Sequence, residues 1–555
     1  MDHVVMDKET FDYVVIGSGF GGSVAALRLS EKGYRVLVLE QGKRFEDHDF
    51  PRTNWNLRKY LWLPALRCFG VQQITLLNDV LVVHGAGVGG GSLVYANVSM
   101  EPEESLFDLP GWRYPVDWKT VLKPHYETAR RMRGVTLNPR LSPADDVLKA
   151  LAEAKGRGHT FRPAEVAVFF NEDGGGGETV PDPYFGGEGP ARAGCTYCGG
   201  CMVGCRYNAK NTMLKNYLYF AEKRGAEIRA ESVVKAVFPL PDNQCNDACY
   251  EVVYQRSTAL PFDRREYRVQ ARGVVVAAGV LGTVRLLMEC RDVVRSLPHL
   301  SRQLGEQVRT NSEALPGSTS RDKESNYSTG VAITSVFSLD DKTHVEPVRY
   351  PEGSSFIRML AMPMITGGGS PFKRLLKTIW HGLIHPWDFL YAKFFASWAR
   401  YTTILLIMQT EDSTMRIQLG RNLWTLFRRG LVTQVSSGHR ISPDAELTQG
   451  ITRDFAARSN GIPQDSIPET LLGIPTTAHI LGGCPVGISE ADGVVDAFGE
   501  VFNYPGLYVA DGSIMPANPG INPSLTITAL AEHIMSHIPA NQEQAEAPVT
   551  EKTHG

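Results

Sequence analysis

The amino-acid sequence predicts an α/β protein with a Rossmann-like dinucleotide-binding domain, and two observations carry this prediction. Residues 11–42 follow the order strand, glycine-rich turn, helix and strand. Strand-then-helix patterns return at residues 273–288 and 506–534, so we expect segments far apart in the chain to join one domain. The length of 555 residues predicts at least one further folding unit, because domains usually hold ~100–200 residues.

The composition is that of an ordinary globular protein, with 43% hydrophobic and 21% charged residues. The formal net charge is -3, so the chain has no excess of basic residues and we expect no nucleic-acid partner. Asp2, Asp7 and Glu9 interrupt the N-terminal stretch, which predicts no cleaved secretion signal. No apolar run reaches the ~20 residues that span a bilayer. We therefore expect a cytoplasmic protein.

The first strand and helix enclose the glycine pattern of Gly17, Gly19 and Gly22. The first glycine of such a motif makes the tight turn, the second lets the backbone approach a pyrophosphate, and the third lets helix and strand pack closely. The pyrophosphate then meets the positive end of the helix. Glu40 ends the second strand, where an acid can bind a ribose hydroxyl. The order of these elements predicts dinucleotide binding without separating FAD from NAD.

A second glycine-rich segment points to the flavin nucleotide. Residues 84–98 read HGAGVGGGSLVYANV, with five glycines in seven residues, which is unfavourable in a helix or strand and suits close approach to a ligand. Together with residues 273–288 and 506–534, this segment resembles the glucose–methanol–choline family of flavoproteins, from Asp12 to about Ile538. Within that family GAGVGGGSLV, AHILGGC and PGINPSLTITALAE are most similar to bacterial cholesterol oxidases, although Tyr95 stands where those usually carry asparagine.

The resemblance implies FAD as the cofactor and assigns residues to it. The glycine loop would wrap the flavin, Val234 would meet the adenine through its backbone, and Asp511 would bind the ribityl or pyrophosphate region. The implied cofactor residues beyond Gly17, Gly19, Gly22 and Glu40 are Gly85, Gly87, Gly89, Gly90, Gly91, Ser92, Val234, Ala278, Gly279, Asp511, Asn522 and Pro523.

The resemblance also implies three catalytic residues, which are His479, Asn522 and Glu346. Alcohol oxidation requires a base for the hydroxyl proton and a group that orients the hydroxyl beside the flavin. Each residue has a simpler interpretation as well. His479 could cap a turn, Asn522 could make local backbone hydrogen bonds, and Glu346 could form a surface pair with Arg349.

The domain organisation follows from where the flavin motifs lie. Residues 1–100, 191–310 and 473–541 are expected to form a discontinuous FAD-binding domain. Residues 101–190 and 311–472 are expected to form a substrate domain, for which the resemblance implies an antiparallel sheet with helices. The polar residues 542–555 are predicted to be a disordered tail.

Four of the nine cysteines are crowded into one segment, in which Cys195, Cys198, Cys201 and Cys205 have the spacing of an iron–sulfur run. Arg206 replaces the proline that usually follows. Structural zinc, or packing cysteines that are reduced or disulfide-bonded, are the alternatives. A cluster would favour a redox protein or quinone as electron acceptor, whereas its absence leaves oxygen.

Residues 372–398 combine apolar, aromatic and basic side chains at helical spacing. One interpretation is a pair of helices packed on the substrate domain. The other is a hairpin that contacts a membrane surface or gates a lipid pocket. The sequence as a whole thus predicts an FAD-dependent oxidoreductase for a bulky apolar secondary alcohol, such as a sterol or lipid. A non-oxidative flavin lyase or decarboxylase, or a non-catalytic electron-relay protein, are the alternatives.

Overall fold

The structure is a computed structural model. It describes residues 5–172, 174–241, 249–260, 262–263, 265–365, 370–411, 413–435 and 445–542. The predicted disordered tail therefore lies outside the described residues, except for Gln542.

Seven described strands form the nucleotide sheet, whose name we use throughout. Their order is Glu227–Arg229, Val36–Leu39, Val5–Ile16, Glu266–Val276, Tyr250–Arg256 and Ser232–Pro239, with Leu507–Val509 also paired to Glu266–Val276. The first four strands in this order and Leu507–Val509 pair in parallel with their neighbours. Tyr250–Arg256 pairs antiparallel with both of its neighbours, Glu266–Val276 and Ser232–Pro239. This is the Rossmann-like sheet that the sequence predicted.

The centre of the nucleotide sheet explains the apolar strand patterns in the sequence. Val14 lies between Leu37 on one neighbouring strand and Val274 on the other. All three side chains are fully buried, because helices cover both faces of a parallel sheet. Strands from opposite ends of the chain therefore meet in one core.

Eight described strands form the second sheet. Their order is Ala361–Pro363, Gly461–Ser466, Gly317–Ser320, Thr402–Gln409, Thr343–Val348, Ser335–Ser338 and Arg162–Pro163, with Glu313–Ala314 also paired to Thr402–Gln409. All these pairings are antiparallel. Smaller pairings join Trp62–Leu63 with Cys68–Phe69, Gln72–Leu76 with Leu81–Gly85 and Thr476–Thr477, Thr136–Leu137 with Glu165–Val166, Thr179–Val180 with Arg192–Ala193, and Met415–Gly420 with Gly430–Val435.

The described residues contain eleven α-helices. They are Phe20–Glu31, Leu57–Tyr60, Trp118–Met132, Pro143–Ala154, Tyr217–Lys223, Gly279–Met288, Pro371–Ile384, Pro386–Leu390, Trp398–Tyr401, Ala445–Arg458 and Ser524–His537. Phe20–Glu31 packs on Ser524–His537, where Arg28 donates two hydrogen bonds to Glu532 at 2.7 and 2.8 Å. Because this pair is mostly buried, it ties the first helix of the chain to the last.

The strands of the two sheets fall inside the ranges expected for the two domains, although the domain boundaries themselves stay a prediction. One helix departs from the simple division. Trp118–Met132 lies in the segment expected for the substrate domain, yet it packs on Ser524–His537 and contributes Trp118 and Leu122 to the core of the nucleotide sheet. The chain therefore crosses to the second sheet only after this helix.

The apolar and basic segment forms the predicted helix Pro371–Ile384, followed by Pro386–Leu390 and a π-helical turn, Tyr391–Phe395. The apolar side chains of Pro371–Ile384 face solvent, with Trp380 66% and Leu383 70% exposed. This first helix is therefore not packed with its apolar face on the second sheet, whereas Pro386–Leu390 and Tyr391–Phe395 do contact the strand Ala361–Pro363. In the part of the chain that the structure describes, no helix is long and apolar enough to cross a membrane.

Candidate active site

A cavity of about 350 Å³ lies at the carboxyl ends of the parallel strands in the nucleotide sheet. Ligands of open α/β sheets bind at this edge. The predicted cofactor residues that line it are Gly17, Gly19, Glu40, Gly85, Gly90, Gly91, Val234, Ala278, Gly279 and Asp511. The structure thus brings together residues from five separate segments of the sequence.

Gly17 makes the turn between the first strand and the first helix. Its φ of +98° is unfavourable for other residues, and a Cβ atom there would lie 2.3 Å from the Ala277 carbonyl oxygen. Gly19 caps the helix without a side chain, and nothing lies within 4 Å of where its Cβ would be. The helix N-terminus therefore opens directly onto the cavity, where its free N–H groups can meet a phosphate.

The Glu40 carboxylate connects the dinucleotide turn to the glycine loop through hydrogen bonds, including one from the Gly87 backbone at 3.4 Å. Its carboxylate accepts hydrogen bonds from the Ser18 backbone at 3.1 Å, the Ser18 hydroxyl at 2.7 Å and the Gly42 backbone at 2.8 Å. Burial raises the pKa of Glu40, while these donors oppose the shift. The carboxylate lines the cavity, so it can also meet a ribose hydroxyl, as predicted.

The glycine loop approaches the dinucleotide turn more closely than any side chain would allow. Gly90 has a φ of +54°, and a Cβ atom there would lie 2.6 Å from the Gly19 α-carbon. The Gly89 backbone donates to the Ser18 hydroxyl at 3.0 Å. The two glycine motifs, about seventy residues apart in sequence, therefore form one surface.

The Asp511 side chain lies beside the N-terminus of a second helix, Gly279–Met288, which faces the cavity. Its carboxylate accepts from the Gly279 backbone at 2.8 Å and from the Thr283 hydroxyl at 2.5 Å. Its other oxygen accepts from the Ser513 backbone and hydroxyl at 2.8 and 2.6 Å. Burial raises the pKa of Asp511, and these donors oppose it. The acid therefore fixes the helix Gly279–Met288 beside the cavity.

Four predicted cofactor residues do not line the cavity but shape it. A Cβ atom on Gly22 would lie 2.0 Å from the Gly17 carbonyl oxygen, so this glycine allows the helix to pack against the turn. Gly87 and Gly89 have φ values of +139° and +104°. The Ser92 hydroxyl donates to the Gly89 carbonyl at 2.7 Å and accepts from the Met213 backbone at 3.0 Å. These residues hold the loop rather than face a ligand.

A second cavity, of about 310 Å³, adjoins the first and contains His479, Asn522 and Pro523. The residues that line both cavities are Phe20, His84, Gly85, Gly91, Ala478, Ile480 and Ile527. Most of the second cavity is apolar, including Val98, Ile333 and Leu406. An extended dinucleotide in the first cavity would therefore reach the apolar space at this junction.

His479 forms a buried pair that sequence analysis missed. Its Nδ1 atom lies 2.6 Å from Oε2 of Glu313, whose side chain is fully buried on the strand Glu313–Ala314. Burial lowers the pKa of His479, but the carboxylates of Glu313 and Glu346 outweigh it, and the pKa is raised. Glu313 has no motif around it, so only the second sheet reveals its role.

Glu346 and Asn522 form the second polar pair. The Asn522 amide donates to Oε2 of Glu346 at 3.3 Å. Burial raises the pKa of Glu346 to about 8. Among the described residues, neither Oε1 of Glu346 nor Oδ1 of Asn522 has a hydrogen-bond partner. The interpretation of Glu346 as a surface pair with Arg349 is wrong, because both are buried and Arg349 faces Asp145 at 3.9 Å.

Tyr95, the departure from the family pattern, lies between two buried cations. The Arg133 guanidinium is 5.4 Å and the Lys210 ammonium 4.6 Å from its ring centre. Lys210 donates to the backbone carbonyls of Leu93, Tyr95 and Cys201 at 2.8 to 3.0 Å. Burial lowers the pKa of Lys210 to about 7. Tyr95 also lines the second cavity, so Arg133 and Lys210 lie next to a ring that forms part of the cavity wall.

The four crowded cysteines do not reproduce the predicted metal site. Cys195, Cys198, Cys201 and Cys205 line a small common space with Lys210, and all four are free thiols. Across the described ranges, however, no group of three or more cysteine, histidine or acidic side chains is arranged to hold a metal ion. Burial raises the pKa of Cys195, Cys198 and Cys201.

The residues around the two cavities fit FAD. Two helix N-termini face the first cavity without an acid in their first turns, which suits a diphosphate. Gly85 and Gly91 line both cavities and carry no side chain that would close the junction between them. Asn522 lines the second cavity, and its amide holds Glu346 behind it. Oδ1 of Asn522 and Oε1 of Glu346 are buried and have no hydrogen-bond partner among the described residues. Polar atoms left this way are expected to meet a bound group.

Family models match this arrangement. Residues 15–45 match an NAD(P)-binding Rossmann-like domain, and residues 191–290 and 435–531 match the N- and C-terminal models described as GMC oxidoreductase. The first match contains Gly17, Gly19 and Glu40, and the last contains His479 and Asn522.

Similar proteins cover nearly the whole chain. A cholesterol oxidase of Acinetobacter baumannii is 44% identical over 99% of this chain and 98% of its own length. A cholesterol oxidase of Mycobacterium tuberculosis is 42% identical over 98% and 93%. A long-chain-alcohol oxidase of Arabidopsis thaliana is 26% identical over 95% and 67%. The crystal structure of a pyridoxine 4-oxidase from Mesorbium loti has a TM-score of 0.59 at 17% identity over 95% of this chain and 99% of its own, which shows a shared fold.

The cavities and these matches define an FAD-dependent alcohol oxidoreductase. The chain belongs to the glucose–methanol–choline (GMC) oxidoreductase family.

Proposed function

We propose that this protein oxidises a bulky apolar secondary alcohol, sterol-like or lipid-like, to a ketone. The observation that carries the proposal is the His479–Glu313 pair, 2.6 Å apart, at the junction of the dinucleotide cavity and the apolar cavity. An apolar cavity with a few polar groups at one place binds an apolar molecule and fixes its orientation. The relatives named as cholesterol and long-chain-alcohol oxidases support an alcohol of this kind.

FAD, when bound, supplies the acceptor for a hydride from the alcohol carbon. The chain supplies the base for the hydroxyl proton. Nδ1 of His479 faces Glu313, which leaves Nε2 as the ring nitrogen that can take the proton. Glu313 then stabilises the positive charge on the imidazole. Asn522 offers Oδ1 as an acceptor that orients the hydroxyl.

Glu346 gives a second proton-transfer group in the same site. Its carboxyl is held by Asn522 and shares no hydrogen bond with His479. For a sterol whose ring double bond is one carbon removed from the new ketone, we propose that Glu346 takes a proton from the intervening carbon and returns it to the far carbon of the double bond, so that the double bond moves into conjugation with the ketone. A buried carboxyl with a raised pKa suits such a role.

The experiment that tests the proposed oxidation follows the visible spectrum of the anaerobic protein when a 3β-hydroxysterol is added. We expect the flavin bands to bleach in the native protein. His479→Gln should bind FAD yet slow the bleaching by about 100-fold or more, because general base catalysis contributes about that much. His125→Gln is the matched control, since this half-buried histidine lines neither cavity.

The result that would overturn the proposal is a flavin that neither sterols nor other bulky alcohols reduce. Equal bleaching rates in the native protein and in His479→Gln would instead show that His479 is not the base. Product analysis in the dark separates oxidation from lyase or decarboxylase chemistry, because only oxidation reduces the flavin in proportion to product.

We propose oxygen as the electron acceptor. The relatives named as cholesterol oxidase and long-chain-alcohol oxidase support this acceptor. An iron–sulfur cluster on the four cysteines would favour a redox protein or quinone instead, and no group of ligands in the described part of the chain is arranged to hold a metal ion. Assays for iron and acid-labile sulfide test this point. We expect neither, together with one peroxide formed for each alcohol oxidised. Stoichiometric iron and sulfide would replace oxygen by a protein or quinone acceptor.

We further propose that the exposed helix segment rests on a membrane surface on the cytoplasmic side. Its exposed apolar side chains are Phe372, Leu375, Leu376, Ile379, Trp380, Leu383, Ile384, Trp387 and Phe394. Lys373, Arg374 and Lys377 lie on the same helix, so anionic lipid complements its charge. Arg374 donates to the Glu469 carbonyl at 3.0 Å, and Pro468 of that turn lines the apolar cavity. The segment thus places the cavity wall near the lipid.

Vesicle binding tests this surface. Trp380→Ser combined with Leu383→Ser should weaken binding to phosphatidylserine-containing vesicles at least about 10-fold, since each removes a large apolar side chain. Leu423→Ser combined with Leu426→Ser is the matched control, because these leucines are equally exposed on another hairpin. Native binding that is absent, or unchanged in the first variant, would refute the membrane contact.

A further inference from the structure

Arg133 is a buried cation that lies beside the junction of the two cavities. It follows the helix Trp118–Met132, and its side chain is fully buried. Its guanidinium donates to the Ser524 hydroxyl at 3.1 Å and to the Tyr95 hydroxyl, both of which are uncharged. No acidic side chain among the described residues pairs with it. Because a buried charge is costly without a counter-charge, we expect a bound group to supply one.

Three contacts place this charge at the cavity junction. The Arg133 guanidinium lies 5.0 Å from the ring centre of Phe20, which lines both cavities. It lies 5.4 Å from the ring centre of Tyr95, and both Tyr95 and Ser524 line the apolar cavity. The charge is therefore one side chain away from the place where the dinucleotide cavity adjoins the apolar cavity.

A helix N-terminus faces the same place. The helix Ser524–His537 begins at the residue that accepts from Arg133, and its first turn contains no acidic residue. Ile527, in that first turn, lines both cavities. A helix N-terminus carries a partial positive charge, so Arg133 adds a full charge to it. Lys210 is not a comparable source of charge, because burial lowers its pKa to about 7.

We infer that Arg133 is a positioning residue for the flavin, and that its charge raises the reduction potential of bound FAD. The inference rests on FAD as the cofactor and not on which alcohol is oxidised, so it goes beyond the proposed function.

The charge balance of alcohol oxidation gives the physical reason. The alcohol releases its hydroxyl proton to the base and a hydride from its carbon. A hydride carries two electrons and one proton, so a neutral acceptor ring that takes up no further proton gains one negative charge. A fixed positive charge beside the ring stabilises this reduced form more than the oxidised form. Arg133 is thereby given the counter-charge that the described residues do not supply.

The reduction potential of the FAD-loaded protein tests this role without turnover. It is measured in the absence of oxygen and alcohol, by equilibration with a reference dye of known potential. Arg133→Met removes the charge and keeps much of the length of the side chain. We expect it to lower the equilibrium constant for flavin reduction about 10-fold, because a buried unit charge one side chain away is weakly screened. For a two-electron couple this is a potential about 30 mV lower.

Two further variants separate charge from structure. Arg133→Lys keeps the charge and should retain most of the native potential. Arg133→Gln is uncharged but keeps a hydrogen-bond donor for Ser524, so it should lower the potential as Arg133→Met does. It decides the question if Arg133→Met does not retain FAD.

Arg130→Met is the matched control. Arg130 lies three residues earlier, on the helix Trp118–Met132, pairs with Glu165 at 2.8 Å and lines neither cavity, so its loss should leave the potential unchanged. A native potential in the uncharged Arg133 variants would overturn the inference, and so would equal losses in these variants and in Arg133→Lys. Reduction by a dye needs no alcohol, so failure of alcohols to reduce the flavin concerns only the proposed function.

Discussion

At the scale of single residues, buried charge decides the chemistry of the site. His479 and Glu346 are both titratable and both buried, but their neighbours differ. The Glu313 carboxylate raises the pKa of His479, whereas burial raises the pKa of Glu346 to about 8. Two groups with separate environments can hold separate roles, one as the base for the hydroxyl and one for a proton on carbon.

The pKa of Glu346 leads to a prediction for sterols with a ring double bond. Proton removal from carbon needs the ionised carboxyl, so the isomerisation rate should rise with pH and reach half its maximum near pH 8. Glu346→Gln should lower isomerisation by about 100-fold or more while flavin reduction continues. Product absorbance and flavin bleaching, measured on the same sample, separate the two steps.

The matched control for this prediction is Glu306→Gln, which alters a carboxylate paired with Arg416 away from the cavities. Isomerisation that persists in Glu346→Gln would assign the double-bond shift to another group.

At the scale of elements, the dinucleotide turn and the glycine loop act as one unit. The loop meets Gly19 through Gly90 and is tied to Ser18 by a hydrogen bond from Gly89. One oxygen of Glu40 accepts from the Ser18 hydroxyl, and the other accepts from the Gly42 backbone. A change in the loop is therefore expected to move the turn that faces the diphosphate.

Gly90→Ala tests this coupling. The methyl group would lie 2.6 Å from the Gly19 α-carbon, and the positive φ adds strain of about 1 kcal/mol or more. We expect FAD affinity to fall at least about 10-fold, measured by fluorescence titration of the apoprotein. Gly225→Ala controls for the strain alone, since its φ is +90° and nothing lies within 4 Å of the added methyl. An unchanged FAD affinity in Gly90→Ala would contradict the coupling.

At the scale of the whole molecule, the candidate active site lies between the two sheets. Glu313 and Glu346 come from the second sheet, whereas Asn522 lies two residues before the helix Ser524–His537 of the nucleotide side. His479 follows the short strand Thr476–Thr477, which pairs with Leu81–Gly85 outside both sheets and donates from the Thr477 hydroxyl to Glu313. A cofactor that reaches this junction is expected to join the two halves.

Removal of FAD should therefore destabilise both sheets. A ligand at about 1,000 times its Kd stabilises a protein by ~4 kcal/mol, so the apoprotein should unfold several degrees lower. Hydrogen exchange shows which strands FAD stabilises. FAD should protect strands of both sheets, whereas ADP, which carries only the nucleotide half, should protect the nucleotide sheet alone. Equal protection by FAD and ADP would show that the flavin half does not couple the two.

Sequence alone determined the nucleotide half because its signals are local. Glycine spacing, an apolar strand and a terminal acid each act over a few residues, and the structure confirms the Rossmann-like sheet that they predicted. Resemblance added His479, Asn522 and Glu346, and the structure brings these three together. The cysteine spacing, by contrast, favoured an iron–sulfur run, yet no group of three or more ligand side chains among the described residues is arranged to hold a metal ion.

Only the tertiary structure revealed Glu313 beside His479 and the cations behind Tyr95. Glu313 and His479 are 166 residues apart and meet because one lies on a strand of the second sheet and the other follows the strand Thr476–Thr477. No periodicity or motif encodes such a contact. Local patterns in a sequence follow from bonded geometry and burial, whereas the pKa of a buried group depends on partners that only the folded chain assembles.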